Sequence, residues 1–214
     1  MQMSNLTGAA CIFLLALGAC AQTEFFDDFE DGSVNPVYEL VVGDASSIME
    51  GDPCEDWGKC LQRKSNAYFF LPHIPGNPEW VTTPITPGVV IGLDVIGLGA
   101  PSTVELGVAD SIHNPLDYFA LKVQIDPATW DSKFTCYDER ERIPLEGSLY
   151  FPLHMSFTVD ESGTVYGSIA DGISRIQCPL HSLVASDFLA PAIVLWASEE
   201  DGLAWVDNFH VTLE

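Results

Sequence analysis

The residues that could do chemistry are few and spread along the chain. Cleaving a glycosidic bond takes two carboxyl groups about 5–9 Å apart. A strand presents such a pair at even spacing, because alternate side chains share a face. Glu105 and Asp110 come nearest, but they stand five apart and so point to opposite faces of a strand. His73, His113, His154, His181 and His210 are scattered, and no Gly-x-Ser-x-Gly elbow or phosphate-binding loop occurs. Binding is easier to place than catalysis. Sugar C–H faces pack on aromatic rings, and sugar hydroxyls need polar side chains close by. Trp57 lies inside Cys54-Glu55-Asp56-Trp57-Gly58-Lys59-Cys60, Trp80 in a proline-rich stretch, and Trp130 shortly after Asp126-Pro127. These three are the candidate carbohydrate-binding residues, each competing with the plainer role of folding back over a core. Trp196 and Trp205 fall in strand-like runs and are expected in the core.

The cysteines and the charge say where such a site would work. Residues 11–20 form an apolar run too short to span a membrane but long enough for a signal-peptide core. Leu17-Gly18-Ala19-Cys20 resembles a bacterial lipobox, whose cysteine is lipidated, although residues 1–8 carry no Lys or Arg. Residues 1–20 therefore read as a signal peptide and 21–23 as a short linker. The chain is expected to be secreted or held at the outer surface as a lipoprotein through Cys20, with no other membrane contact. Beyond the leader, Cys54, Cys60, Cys136 and Cys178 make an even set, which reads as two disulfides in an exported protein. Of three possible pairings, Cys54 with Cys60 is favoured by its short polar loop, and Cys136 with Cys178 then follows. No CxxC spacing or paired histidine supports zinc. The 214 residues carry 31 acidic and 8 basic side chains, a net charge of −23. Nucleic acid is excluded as a partner, since phosphate binding needs clustered Lys and Arg.

Elements must position these residues, and the pattern is of strands. Glycine and proline punctuate the chain, and no long amphipathic helix appears. Short β-rich runs cover 24–30, 37–42, 67–71, 89–98, 103–108, 118–125, 149–159, 164–169, 174–178, 192–197 and 204–213. Such spacing predicts one all-β domain over 24–214, a two-sheet antiparallel jelly-roll sandwich. In 149–159, Leu153, Met155, Phe157 and Val159 alternate with His154, Ser156 and Thr158, and Asp160-Glu161-Ser162-Gly163 reverses the chain. The prolines of 71–87 exclude a central strand and read as a long loop. Residues 138–142, mixed in sign, read as a solvated turn. At the end, Leu203, Trp205, Asp207, Phe209, Val211 and Leu213 fall in one alternating row. Asp207 is the one acid there, and a charge so placed needs a partner or a cation.

Both ends carry a family resemblance. Phe26-Asp27-Asp28-Phe29-Glu30-Asp31-Gly32 resembles the opening strand of exported jelly-roll modules, with its Phe-Glu-x-Gly stretch. Trp205-Val206-Asp207-Asn208-Phe209-His210-Val211 is similar to their closing strand, and the hairpin ending Ala170-Asp171-Gly172 to the laminin-G and concanavalin A-like type. Galactose-binding-like and concanavalin A-like jelly rolls both fit. The resemblance implies a noncatalytic, lectin-like carbohydrate-binding domain with glycan as partner and one structural Ca²⁺. Its ligands would be Glu30 and Asp207, brought together by adjacent first and last strands, with Asp28 contributing. Hard oxygen donors suit calcium. The alternatives are a polysaccharide-degrading hydrolase or lyase of the concanavalin A-like class, and a structural or adhesive surface protein without a small ligand. Against the hydrolase stands the lack of the Glu-x-Asp-x-x-Glu strand that such glycanases carry.

Overall fold

The computed structural model of the chain describes residues 25–33, 39–42, 48–51, 59–63, 66–70, 87–109, 118–137, 141–178, 190–197 and 202–213. The leader, Cys20, Cys54, Trp57, Trp80, Asp110 and the body of the proline-rich loop lie outside them. Among the described residues there is no helix, and the strands form two antiparallel sheets.

One sheet runs in the order β13 (Arg175–Gln177), β12 (Val165–Ala170), β11 (Leu153–Val159), β6 (Val89–Leu98), β15 (Ala204–Leu213), β4 (Cys60–Arg63) and β3 (Ile48–Gly51). The other runs β10 (Arg142–Leu145), β9 (Ser132–Tyr137), β8 (Tyr118–Ile125), β7 (Ser102–Ala109), β14 (Ala190–Ala197), β5 (Ala67–Phe70) and β2 (Glu39–Val42). The first strand, β1 (Phe25–Asp27), pairs with β15, Phe25 opposite Val211 and Asp27 opposite Phe209. First and last strands are therefore neighbours, as the sequence predicts.

The core sits between the sheets, and alternation puts it there. Leu153, Met155, Phe157 and Val159 of β11 are buried, together with Val89, Ile91, Leu93 and Val95 of β6. They meet Val104, Leu106 and Val108 of β7 and Phe119, Leu121 and Val123 of β8. Phe119 and Phe157 touch across the layers, ring centroids 5.1 Å apart. Fully burying each such side chain contributes about 1.5–3 kcal/mol. Core side chains press directly on Gly167, where a Cβ would stand 2.9 Å from Leu121 Cδ2 and 3.1 Å from Phe157 Cε1. Both neighbours are themselves enclosed, so they have little room to give. Gly167→Ala is expected to cost about 1–2 kcal/mol, read as a melting temperature lower by roughly 2–8 °C. An unchanged melting temperature would show that the core can relax there.

The hairpin predicted at 160–163 forms. Asp160 Oδ1 accepts the N–H groups of Ser162 (2.8 Å) and Thr164 (2.9 Å), and Gly163 takes the left-handed conformation the turn requires. Bonds from the Ser162 hydroxyl and the Thr164 N–H hold the Asp160 carboxyl down at about 2.

The last strand departs from its predicted row. The buried side chains of β15 are Ala204, Val206, Asp207, Phe209 and Val211, while Leu203 is exposed. A register shift against β6 lies between Asp207 and His210, with Asn208 at φ 50°. An added residue reverses the alternation beyond it, so one face cannot hold 203, 205, 207 and 209 together. Trp205 instead packs its ring against Gly97.

Candidate functional site

The outward face of the seven-stranded sheet carries a polar and aromatic group of side chains. On β7, Val104, Leu106 and Val108 point into the core, which leaves Thr103, Glu105 and Gly107 on the other row. Lys122 of β8 lies directly across from Glu105, and Val194 of β14 flanks it on the other side. Glu105 Oε2 accepts a hydrogen bond from the Tyr137 hydroxyl at 2.5 Å, and Lys122 Nζ stands 3.7 Å from Oε1. The Arg142 guanidinium lies 5.2 Å over the Tyr137 ring. These partners are what allow a carboxyl to sit almost enclosed in a sheet.

Trp196 completes the group. It pairs with Thr103, two residues along β7 from Glu105, and is 42% exposed. The expectation that it lies in the core is corrected: Ile193, Leu195 and Ala197 are buried, so the strand's alternation turns Trp196 outward. The solvated turn expected at 138–142 is also shortened, because Arg142 opens a strand paired to Tyr137.

This arrangement offers an aromatic platform beside a carboxyl, a phenol and two cations. Glu105 and Tyr137 share a hydrogen bond along which a proton could move. Lys122 supplies positive charge beside it.

The eight-stranded sheet carries a second polar cluster. Asp94 Oδ1 bonds to His154 Nδ1 at 2.7 Å, and Asp94 Oδ2 accepts from Asn208 Nδ2 at 3.0 Å. His210 Nδ1 bonds to the Asn208 carbonyl, and the His154 and His210 rings stack with centroids 5.7 Å apart. Histidines scattered in sequence are thus partly gathered in space. Gly92 makes room: a Cβ there would fall 2.2 Å from His210 Cε1.

Beside this cluster lie the residues expected to hold calcium. Asp207 sits opposite Asp94 and is 2% exposed, with Oδ1 accepting the Asn208 N–H at 2.8 Å. Burial pushes its carboxyl up to about 6, and the charges of Asp94, Asp28 and Glu30 push the same way, against the Asn208 hydrogen bond. Glu30 Oε1 accepts the Lys59 N–H at 2.6 Å, and Asp28 Oδ1 accepts the Glu30 N–H at 3.2 Å. Glu30, Asp28 and Asp207 therefore lie within electrostatic reach of one another, and their mutual repulsion suits a cation. The donor set is short, however. Among the described residues, no three His, Cys, Asp or Glu side chains are placed to share a metal ion.

Cys136 and Cys178 are bonded, joining β9 of one sheet to the end of β13 in the other. Cys60 is also disulfide-bonded, with its partner outside the described residues. Trp130 lies in the turn between β8 and β9, 71% exposed.

Known proteins add the fold's relationships. No protein-family model matches the sequence, and no curated protein matches it. A glycoside hydrolase family protein from Mycobacterium thermorestibile superposes with a TM-score of 0.51, at 10% identity over 89% of this chain and 99% of that one. A glycosyl hydrolase family protein from Mycobacterium fortuitum gives a TM-score of 0.50, at 10% identity over 87% and 97%. This chain shares with both a two-sheet antiparallel β-sandwich fold, the architecture that the strand pattern predicts.

Proposed function

We propose that the protein engages polysaccharide at the outward side of its seven-stranded sheet, with the exposed Trp196 as the stacking platform and the nearly enclosed Glu105 as the group placed for chemistry. The observation that carries this reading is Glu105 itself, nearly enclosed between the Tyr137 hydroxyl and Lys122 and beside an exposed tryptophan. The two neighbours are named for glycoside hydrolysis, which supports a polysaccharide-degrading sandwich more than a dedicated carbohydrate-binding module. A hydrolase would need a second carboxyl group on this face. Export is part of the proposal, supported by the Cys136–Cys178 disulfide, a bond that persists in oxidising compartments. Cys20 is then the lipid anchor, or the chain is cleaved beside it and released.

The test is a panel of polysaccharides assayed both for binding and for new reducing or unsaturated ends. Trp196→Ala is expected to weaken binding about tenfold, the loss of one stacking contact of about 1.4 kcal/mol. Glu105→Gln is expected to remove turnover while binding stays near that of the parent chain. Binding without turnover would restore the lectin-like reading. Neither binding nor turnover would leave a structural or adhesive protein.

A further inference from the structure

A separate cavity of about 710 Å³ opens at the strand ends, lined by Trp130, Asp131, Ser132, Ser148, Tyr150 and Phe151 among others. Trp130 and Tyr150 are 71% and 74% exposed. Large rings left in water at the rim of a cavity are unusual unless they meet something. Both are also held there. Trp130 has φ 63°, a backbone conformation that bulky residues rarely take. The turn imposes it: the Trp130 N–H donates to the Asp126 carbonyl at 2.8 Å, Ala128 N–H donates to Asp126 Oδ1 at 2.8 Å, and Asp126 N–H donates to the Asp131 carbonyl at 3.0 Å. The Asp126–Lys133 ion pair braces the same turn. Elsewhere in the lining, Leu149 is buried as an anchor and the Tyr150 N–H donates to Asp171 Oδ2 at 3.1 Å. Asp171 is itself fixed by the N–H groups of Ile173 and Ser174.

We propose that this cavity is a second glycan subsite, taking a neutral oligosaccharide between the Trp130 and Tyr150 rings. The inference rests on the reading that the protein engages polysaccharide, and it names the charge class of the sugar. Stacking rings and the hydroxyls of Ser132 and Ser148 match the apolar faces and hydroxyls of a pyranose. Asp131 in the lining and a chain charge of −23 repel uronate or sulfated sugars. The subsite lies at the same end of the sheet as Trp196, whose partner Thr103 pairs with Gln124, the residue before Ile125 of the lining. One long chain can therefore extend from the sheet face toward the cavity.

The experiment is calorimetric titration of the full chain with neutral hexasaccharides of glucose or xylose and with a hexauronate. The proteins are the parent chain, Trp130→Ala, Tyr150→Ala and Trp196→Ala, each first checked for an unchanged melting temperature. Trp130→Ala and Tyr150→Ala are each expected to weaken one class of neutral-sugar site about tenfold and leave the class lost in Trp196→Ala. If both cavity variants titrate like the parent while Trp196→Ala loses binding, the subsite is overturned and the polysaccharide reading stands. If the hexauronate binds the Trp130-dependent site as tightly as the neutral sugars, the assigned charge class is wrong. If the parent chain binds none of these sugars, the subsite and the reading it rests on fall together.

Discussion

Cys136→Ser is expected to lower the melting temperature by roughly 8–16 °C, the equivalent of about 4 kcal/mol in a chain of this size. The magnitude follows from the loop closed by the bond, Cys136 and Cys178 standing 42 positions apart in sequence. Cross-linking a loop that long removes much of the freedom of the unfolded chain. The position of the bond adds a second reason. Cys136 lies in β9, next to the edge strand of the seven-stranded sheet, and Cys178 follows the edge strand of the other. Both are buried, and the Cys178 N–H donates to the Gly167 carbonyl of β12 at 2.8 Å. The disulfide thus ties the two layers together beside their edge strands. Thermal melts of Cys136→Ser, Cys178→Ser and the double variant check this. The three should melt together, since each removes the same single constraint. A variant melting within a few degrees of the parent chain would show that burial alone holds the layers.

How much of this was legible depended on what each feature needed. Period-two alternation needs only local sequence, so the rows Leu153–Val159 and Val104–Val108 and the 160–163 turn could be read directly. Pairing of the first and last strands followed from the terminal motifs. Features that depend on cross-strand register could not be read. Glu105 belongs to the outward row of β7 by alternation alone, but nothing local says that Lys122 stands opposite or that Tyr137 reaches it. The same holds for His154 and His210, which meet only because Asp94 and Gly92 lie between their strands. Two departures are local. Trp196 falls in a strand-like run, but Ile193 and Leu195 set the inward row and alternation turns it outward. The β15 row failed at Asn208, where a left-handed residue and a bulge reset the alternation.

Asp207→Asn is expected to be more stable than the parent chain at pH 7 in the presence of chelator, by up to about 3 kcal/mol. A carboxyl raised from its ordinary 3.8 to about 6 binds its proton more tightly in the folded chain than in the unfolded one. Above pH 6 the native state carries the full cost of a buried charge. That cost is relieved as pH falls through 6, and the relief is complete near 4. Between pH 7 and pH 5 the parent chain should gain about 1 kcal/mol, a rise of roughly 2–4 °C, that the variant does not. General relief of a −23 charge on acidification is shared by both proteins, so the difference between their curves isolates Asp207. Asp94, Asp28 and Glu30, which act on it, His154 bonded to Asp94, and His210 stacked on His154 are likewise kept in both. Asparagine retains an oxygen for the Asn208 N–H, so no hydrogen bond is given up. Parallel pH curves would show that the carboxyl is relieved in the folded chain by some other route. Calcium is read in the same melts. If a Ca²⁺ ion supplies the missing positive charge, millimolar Ca²⁺ at pH 7 raises the melting temperature of the parent chain and leaves Asp207→Asn unmoved. With no shift in the parent chain, the calcium site has no support, and Asp207 stands as a buried acid whose charge destabilises the fold at neutral pH.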